Sequence, residues 1–358
     1  MKHIRIIALA LVLVLGTIAA VGSSAQAHEP PPSSCDPADP PTCLYVPDSR
    51  YEIGVLDGVV LVDPDRDDYR VPLLIRYPID AEGPRPVVIW NHGGNAGENG
   101  RNRSEEWGER LAHAGYVVIH PARVLPDDVT DLLPECTDNG FPDPTECAHW
   151  VAQALYGPRN VRFVIDRMEE IVAERPILRH RMDVSKIVVA GHSAGTPSVL
   201  ATAGADRQWL EGGPVYADDE DPRPIAFLAT GPFGPTYAGW RGGFDEQKSF
   251  LDIERPFLFV TGMGDETGEP IPTRLTAWLT SRPGNKALVW DTEPDAVHET
   301  MDIHKCDNPL REEHCAWIAS VGVAYLDALV QHRPEAIEWM SSDALKLLSG
   351  GAIELHRR

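Results

Sequence analysis

Positive charge is what this chain lacks most. Against 54 Asp and Glu stand 32 Lys and Arg, a formal net charge of −22. A surface this acidic repels phosphate backbones and anionic headgroups, which argues against nucleic acid or an anionic membrane as a partner. No Cys-x-x-Cys occurs, so zinc-ribbon and dithiol redox chemistry have no motif to stand on. There is no internal repeat and no starch-, chitin- or cellulose-binding module. The apolar run Ile6 to Val21 is short for a membrane span, has no basic stop after it, and is followed by no lipobox cysteine.

What is present at the N-terminus fits export. Lys2 and Arg5 precede that apolar run, and Ala25-Gln26-Ala27 follows it as an A-x-A cleavage site. Residues 1–27 are therefore expected to be a signal peptide, cleaved near Ala27 to release a secreted, extracellular or periplasmic protein without a stable membrane anchor. Residues 28–50 read as a Pro/Ser-rich arm, 51–333 as one large domain, and 334–358 as a C-terminal extension. A monomer or weak oligomer is expected. Six cysteines suit an oxidising compartment. They fall in three local couples, Cys35 with Cys43, Cys136 with Cys147 and Cys306 with Cys315, and sequential pairing is expected because each closes a short loop.

Along the chain, apolar runs alternate with helix-compatible stretches. Strands are expected over Val55–Val62, Tyr69–Tyr77, Pro86–Trp90, Tyr116–His120, Lys186–Ala190, Ile225–Thr230, Pro256–Thr261 and, as the last, Lys286–Trp290. Helices are expected over Ser104–Ala114, Trp150–Glu174 with Pro158 starting or kinking its main part, Ile271–Ser281 and Cys315–Gln331. Residues 126–147, rich in Asp, Pro and Gly and without a period, read as a long ordered loop. Asp63 to Asp68 joins the first two strands; its D-x-D-x-D spacing makes calcium a competing reading to a solvated turn, without the glycine and distant glutamate of an EF-hand. Strand, helix, strand in this rhythm implies a mostly parallel, doubly wound α/β sheet with helices on both faces.

The chemistry gathers where strands end. Gly191-His192-Ser193-Ala194-Gly195 follows the run Lys186–Ala190 directly, and a strand that breaks into a helix through Gly-x-Ser-x-Gly is a nucleophile elbow. The serine is held in a strained conformation with its hydroxyl above the sheet, and the flanking glycines supply clearance. Serine alone is a poor nucleophile; it needs a histidine to take its proton and a carboxylate to orient that histidine. Asp265, just past the Phe257 strand, and His298, just past the Leu288 strand, fill those roles, with Glu266 or Glu269 and His304 as their rivals. The developing oxyanion needs donors in place beforehand. These are expected from the backbone N–H of Ala194 and of Gly94 in Asn91-His92-Gly93-Gly94-Asn95, with Gly93 or Asn95 as close alternatives. His298, His304, Cys306, His314 and Cys315 could also be read as a metal cluster, a reading that a Cys306–Cys315 disulfide would displace.

With these residues in place, the chain resembles the α/β-hydrolase superfamily from about Tyr51 to Gln331. More narrowly it is similar to exported dienelactone-hydrolase-like and platelet-activating-factor-acetylhydrolase-like serine esterases. The resemblance is carried by Pro86-Val87-Val88-Ile89-Trp90-Asn91-His92-Gly93-Gly94, Ala112-His113-Ala114-Gly115-Tyr116-Val117-Val118, Val161-Arg162-Phe163-Val164-Ile165-Asp166-Arg167, the elbow and the Val297-His298 loop. It implies the α/β-hydrolase fold and hydrolysis of a small-molecule or polymeric carboxylic ester through an acyl-serine, with no cofactor and no metal. Two departures stand out: Pro197 lies near the start of the elbow helix, and Ser193 replaces the cysteine of a true dienelactone hydrolase. A peptidase or amidase with the same triad, or a silent binding protein on this scaffold, are the alternatives. Trp107, Phe141, Trp150, Phe233, Tyr237 and Trp240 are candidate pocket aromatics, and Gly231 to Pro235 a candidate pocket wall.

Overall fold

The computed structural model describes residues 43–47, 49–94, 97–125, 130–138, 143–207, 215–234, 249–267 and 270–358, all within one compact unit, Cys35–Arg358. The expected signal peptide and most of the expected arm lie outside the described residues. So do Phe141, Tyr237, Trp240 and the side chain of Trp150.

β1 (Ile53–Asp63) and β2 (Tyr69–Pro78) form an antiparallel hairpin. Asp63 closes its acidic turn, accepting from Asp65 N at 3.1 Å and Arg66 Nε at 2.5 Å. That carboxylate is thus spent on the turn itself, and among the described residues no cluster of His, Cys, Asp and Glu is placed to hold a metal ion. β3 (Arg85–Asn91) runs into a loop and then α1 (Glu105–His113), which returns the chain to β4 (Val117–Pro121).

The described parts of 126–147 are helical, not a loop. α2 (Leu133–Asp138) and the start of α3 (Pro144–Asp166) occupy them, tied by the disulfide Cys136–Cys147. Asp143 caps α3 by accepting from Thr145 N and Glu146 N, both at 3.0 Å, with Pro144 in the first turn, where a missing N–H costs nothing. α3 passes through Pro158 and stops at Arg167 (φ −102°, ψ 5°), so the single helix expected to Glu174 is two, the second being α4 (Met168–Glu174).

β5 (Met182–His192) leads through the elbow into α5 (Thr196–Thr202), whose first turn accommodates Pro197. β6 (Pro224–Thr230) and β7 (Phe257–Gly262) follow, then α6 (Ile271–Arg274) and α7 (Thr276–Thr280), split at Leu275 where one helix was expected. β8 (Lys286–Asp291) precedes α8 (His298–Met301) and the long α9 (Pro309–Leu329).

The domain does not end at residue 333. α10 (Pro334–Ser341) packs on α9, α11 (Ala344–Leu348) follows, and β9 (Ile353–Arg357) pairs antiparallel with β8. β9 is therefore the sheet's edge and closes the open side of β8, which would otherwise present a row of unpaired N–H and C=O groups. At the other end, residues 43–47 are docked rather than tethered: the Tyr45 hydroxyl donates to Asp327 at 2.8 Å and Trp339 Nε1 donates to the Cys43 carbonyl at 2.9 Å. Cys43 is itself disulfide-bonded; its expected partner Cys35 lies outside the described residues.

The nine strands line up as β1-β2-β4-β3-β5-β6-β7-β8-β9. From β4 to β8 every pairing is parallel; β1, β2 and β9 are antiparallel. Successive side chains point to opposite faces, so Val87, Ile89, Val189 and Phe227 enter one core with α3 and α5, while Val88, Trp90, Val188 and Leu228 enter the other with α1 and α9. Both faces are covered, which is why the central strands read as unbroken apolar runs. Their carboxyl ends all open on one rim, where ligand sites in such sheets form.

Candidate active site

The elbow is built by steric necessity. Ser193 sits at φ 52°, in the left-handed region that a non-glycine residue rarely enters. A Cβ on Gly195 would stand 2.2 Å from the carbonyl oxygen of Asn91, so the turn can lie against β3 only if that residue has no side chain. Ser193 itself is partly exposed, at the head of a one-turn helix whose first N–H groups have no partner within it. The Ala194 N–H is among them.

Asp265 and His298 come together, although 33 positions apart. Nδ1 of His298 donates to Oδ1 of Asp265 at 2.5 Å, and Thr261 Oγ1 donates to Oδ2 at 2.7 Å. The carboxylate is completely buried and the histidine nearly so. With Nδ1 occupied as a donor, neutral imidazole presents a lone pair at Nε2, and that atom is buried with no hydrogen-bond partner among the described residues. Ser193 therefore makes no bond to Nε2 in this structure; such contacts tighten when substrate binds. The rival histidine is elsewhere: His304, half exposed, bonds Glu106 at 2.7 Å. Of the rival acids, Glu266 is exposed and Glu269 lies outside the described residues.

The loop after β3 is clamped from behind. Arg123 N donates to Nε2 of His92 at 3.1 Å, which leaves the proton on Nδ1, donated to the Gly93 carbonyl at 3.0 Å. Burial first, and the Arg123 charge second, depress His92 to about 3, so it stays neutral in this role. The Gly93 carbonyl also accepts from Arg103 Nη1 at 3.2 Å, and the Gly94 carbonyl from Arg123 Nη2 at 2.7 Å. In a trans peptide the N–H points opposite to the C=O. The Gly94 N–H therefore points away from His92 Nδ1 and Arg103 Nη1, which hold the Gly93 carbonyl. Gly93 also lies close to Ser193: a Cβ there would meet that of Ser193 at 3.1 Å.

The sequence left other participants unnamed. His192 packs on His298 with ring centroids 4.6 Å apart, and its Nε2 donates to the His298 carbonyl at 3.2 Å. Arg274, buried, donates Nη1 to the carbonyls of Gly231 (3.2 Å) and Pro232 (3.0 Å). It stacks its guanidinium over Phe233 at 4.9 Å, and that ring lies 6.2 Å from His298. Trp107 is not a pocket residue: fully buried, it stacks on Trp90 at 5.2 Å inside the core beneath α1. The metal reading of the His298–Cys315 stretch also fails, because Cys306 and Cys315 form a disulfide and His314 bonds Asp291 at 2.5 Å.

Compared with family models and with curated proteins, the chain matches none.

Proposed function

We propose that this chain is an exported serine hydrolase of the α/β-hydrolase fold, cleaving carboxylic esters through an acyl-serine intermediate. The observation that carries this reading is the buried His298–Asp265 pair, with its free Nε2, on the same rim as a serine held at φ 52°. The architecture supports it: the nucleophile turn joins β5 to α5, a donor loop lies between β3 and α1, and the chain order is Ser, Asp, His. Two disulfides among the described residues fit an oxidising compartment, and no described helix is long and apolar enough to cross a membrane.

In this mechanism Nε2 of His298 takes the Ser193 proton as Oγ attacks the ester carbonyl. Asp265 holds the imidazole in its Nδ1–H tautomer and offsets the charge of the imidazolium. The oxyanion is received by the N–H groups of Ala194 and Gly94. His298 returns the proton to the leaving alcohol, and water, activated by the same imidazole, releases the acid. Nucleophile and base are both side chains of the protein, so the reaction calls for no cofactor.

The test is labelling by a fluorophosphonate, in wild type and Ser193→Ala, beside a panel of nitrophenyl esters and matching anilides. Label on wild type alone with ester turnover supports the reading. Faster anilide turnover would make it a peptidase or amidase, and a wild type that neither labels nor turns over would make it a binding protein.

A further inference from the structure

Ser104 stands at the N-cap of α1 yet does not cap it. Its backbone is left-handed (φ 55°), and its hydroxyl donates instead to Oδ2 of Asp302 at 2.9 Å. A serine there ordinarily binds a first-turn N–H. Here it is diverted to a side chain 198 positions away. Asp302 is buried, its Oδ1 has no hydrogen-bond partner among the described residues, and Ile303 after it is a β-branched residue at φ 50°. Oδ2 of Asp302 also lies 3.5 Å from Nδ1 of His192.

The protons can be counted. A carbonyl only accepts, so Nε2 of His192 must carry a hydrogen to bond His298 O. Nδ1 of a neutral His192 is then a lone pair, facing a carboxyl oxygen. Two acceptors do not face each other in a buried site unless a proton lies between them. Burial pushes Asp302 well above the ordinary carboxylate range and His192 well below the ordinary imidazole range, which favours the neutral pair. The charges facing this pair come from Arg103 and Glu106 around α1, Arg274 of α6, His298 itself and His304 beyond α8.

We infer that Asp302 is a positioning residue which, as a neutral acid, donates to His192 and so holds the backbone of the base His298 in place. Ser104, Asp302, His192 and the His298 carbonyl form one chain from the start of α1 to the catalytic loop. The inference rests on the hydrolase reading above. Its pH dependence follows in sign: the donor is present below the raised Asp302 titration and is lost as pH rises through it.

Two substitutions test it, read by kcat, KM and the pH profile on a nitrophenyl ester, with fluorophosphonate labelling counting competent sites. Asp302→Asn keeps an N–H donor toward His192, and the Ser104 hydroxyl can turn to accept from it. That variant should stay within about 3-fold of wild-type kcat and lack the alkaline decline that wild type is expected to show. Asp302→Leu, of similar shape but with no donor, should lose ~10–100-fold in kcat per labelled site with KM nearly unchanged, as expected for a base displaced by about 1 Å. Wild-type kcat in Asp302→Leu, or an unchanged alkaline decline in Asp302→Asn, overturns the inference while leaving the hydrolase reading intact. A wild type that neither labels nor turns over removes both.

Discussion

Nε of Arg274 stands 3.4 Å from Oδ1 of Asp265, and neither side chain reaches solvent. The carboxylate accepts from His298 and Thr261, so the arginine serves it as countercharge. Its Nη atoms meanwhile bind the carbonyls of Gly231, Pro232 and Thr267. One cation therefore joins the loop after β6, the loop after β7 and Asp265, the carboxylate bonded to His298.

Removing that cation should be costly in a way a lysine only partly repairs. Breaking a buried pair by deleting one partner costs about 3–5 kcal/mol, so Arg274→Met should unfold at markedly lower denaturant. Arg274→Lys, which keeps the charge but not the fork to two loops, should recover only part of that loss. Denaturant melts on both variants decide this.

The two rival histidines should separate by orders of magnitude. His298→Ala should lose ~10⁴-fold in kcat, as the loss of a triad member does. His304→Ala removes only a half-exposed contact to Glu106 and should stay within about 2-fold, surface pairs being worth little. The reverse order in single-turnover assays would move the base to His304.

His92 should make the protein acid-sensitive. Its folded value of about 3 lies below the ordinary 6.5, so between those pH values the unfolded chain binds a proton that the native state refuses. Native stability then falls as pH drops below 6.5, at up to about 1.4 kcal/mol per pH unit from this one group. His92→Gln cannot titrate. Its stability relative to wild type should rise by roughly that slope from pH 6 to pH 4, and parallel curves from denaturant melts would contradict this.

The Cys306–Cys315 bond closes a short loop immediately after the helix that begins with His298. In the chain-entropy model such a loop is worth roughly 2–3 kcal/mol, yet its effect on rate should be larger than on folding. Cys306→Ser/Cys315→Ser is expected to lower kcat by ~10²-fold, the cost of a base shifted by about 1 Å, while still melting cooperatively. Mild reductant on wild type should act in the same direction.

Much of this was legible in the chain because it is local. The buried parallel strands announce themselves as apolar runs, and the elbow lies within five consecutive residues. Asp265 and His298 could be named because each follows such a strand closely. Ser104 and Asp302 could not: nothing in either neighbourhood marks a partner 198 positions away, and Ser104 resembles an ordinary helix cap. Arg274 sits in a helix of only four residues and reads as surface charge. The capped start of α3 was hidden because Asp143 and Pro144 lie in a stretch whose composition suggests a loop. β9 escaped because Ile-Glu-Leu-His-Arg is a half-exposed edge strand, without the apolar run of a central one.

That edge strand has a consequence for partial chains. Any product that stops before Ile353 leaves β8 with an open side, and Ala287, Leu288, Val289 and Trp290 would then offer unpaired backbone to whatever passes. An apolar, uncovered strand is a template for a second molecule. Nicked or shortened forms of this protein should therefore assemble side by side through β8, and the strand so captured is the one that delivers His298 to the rim.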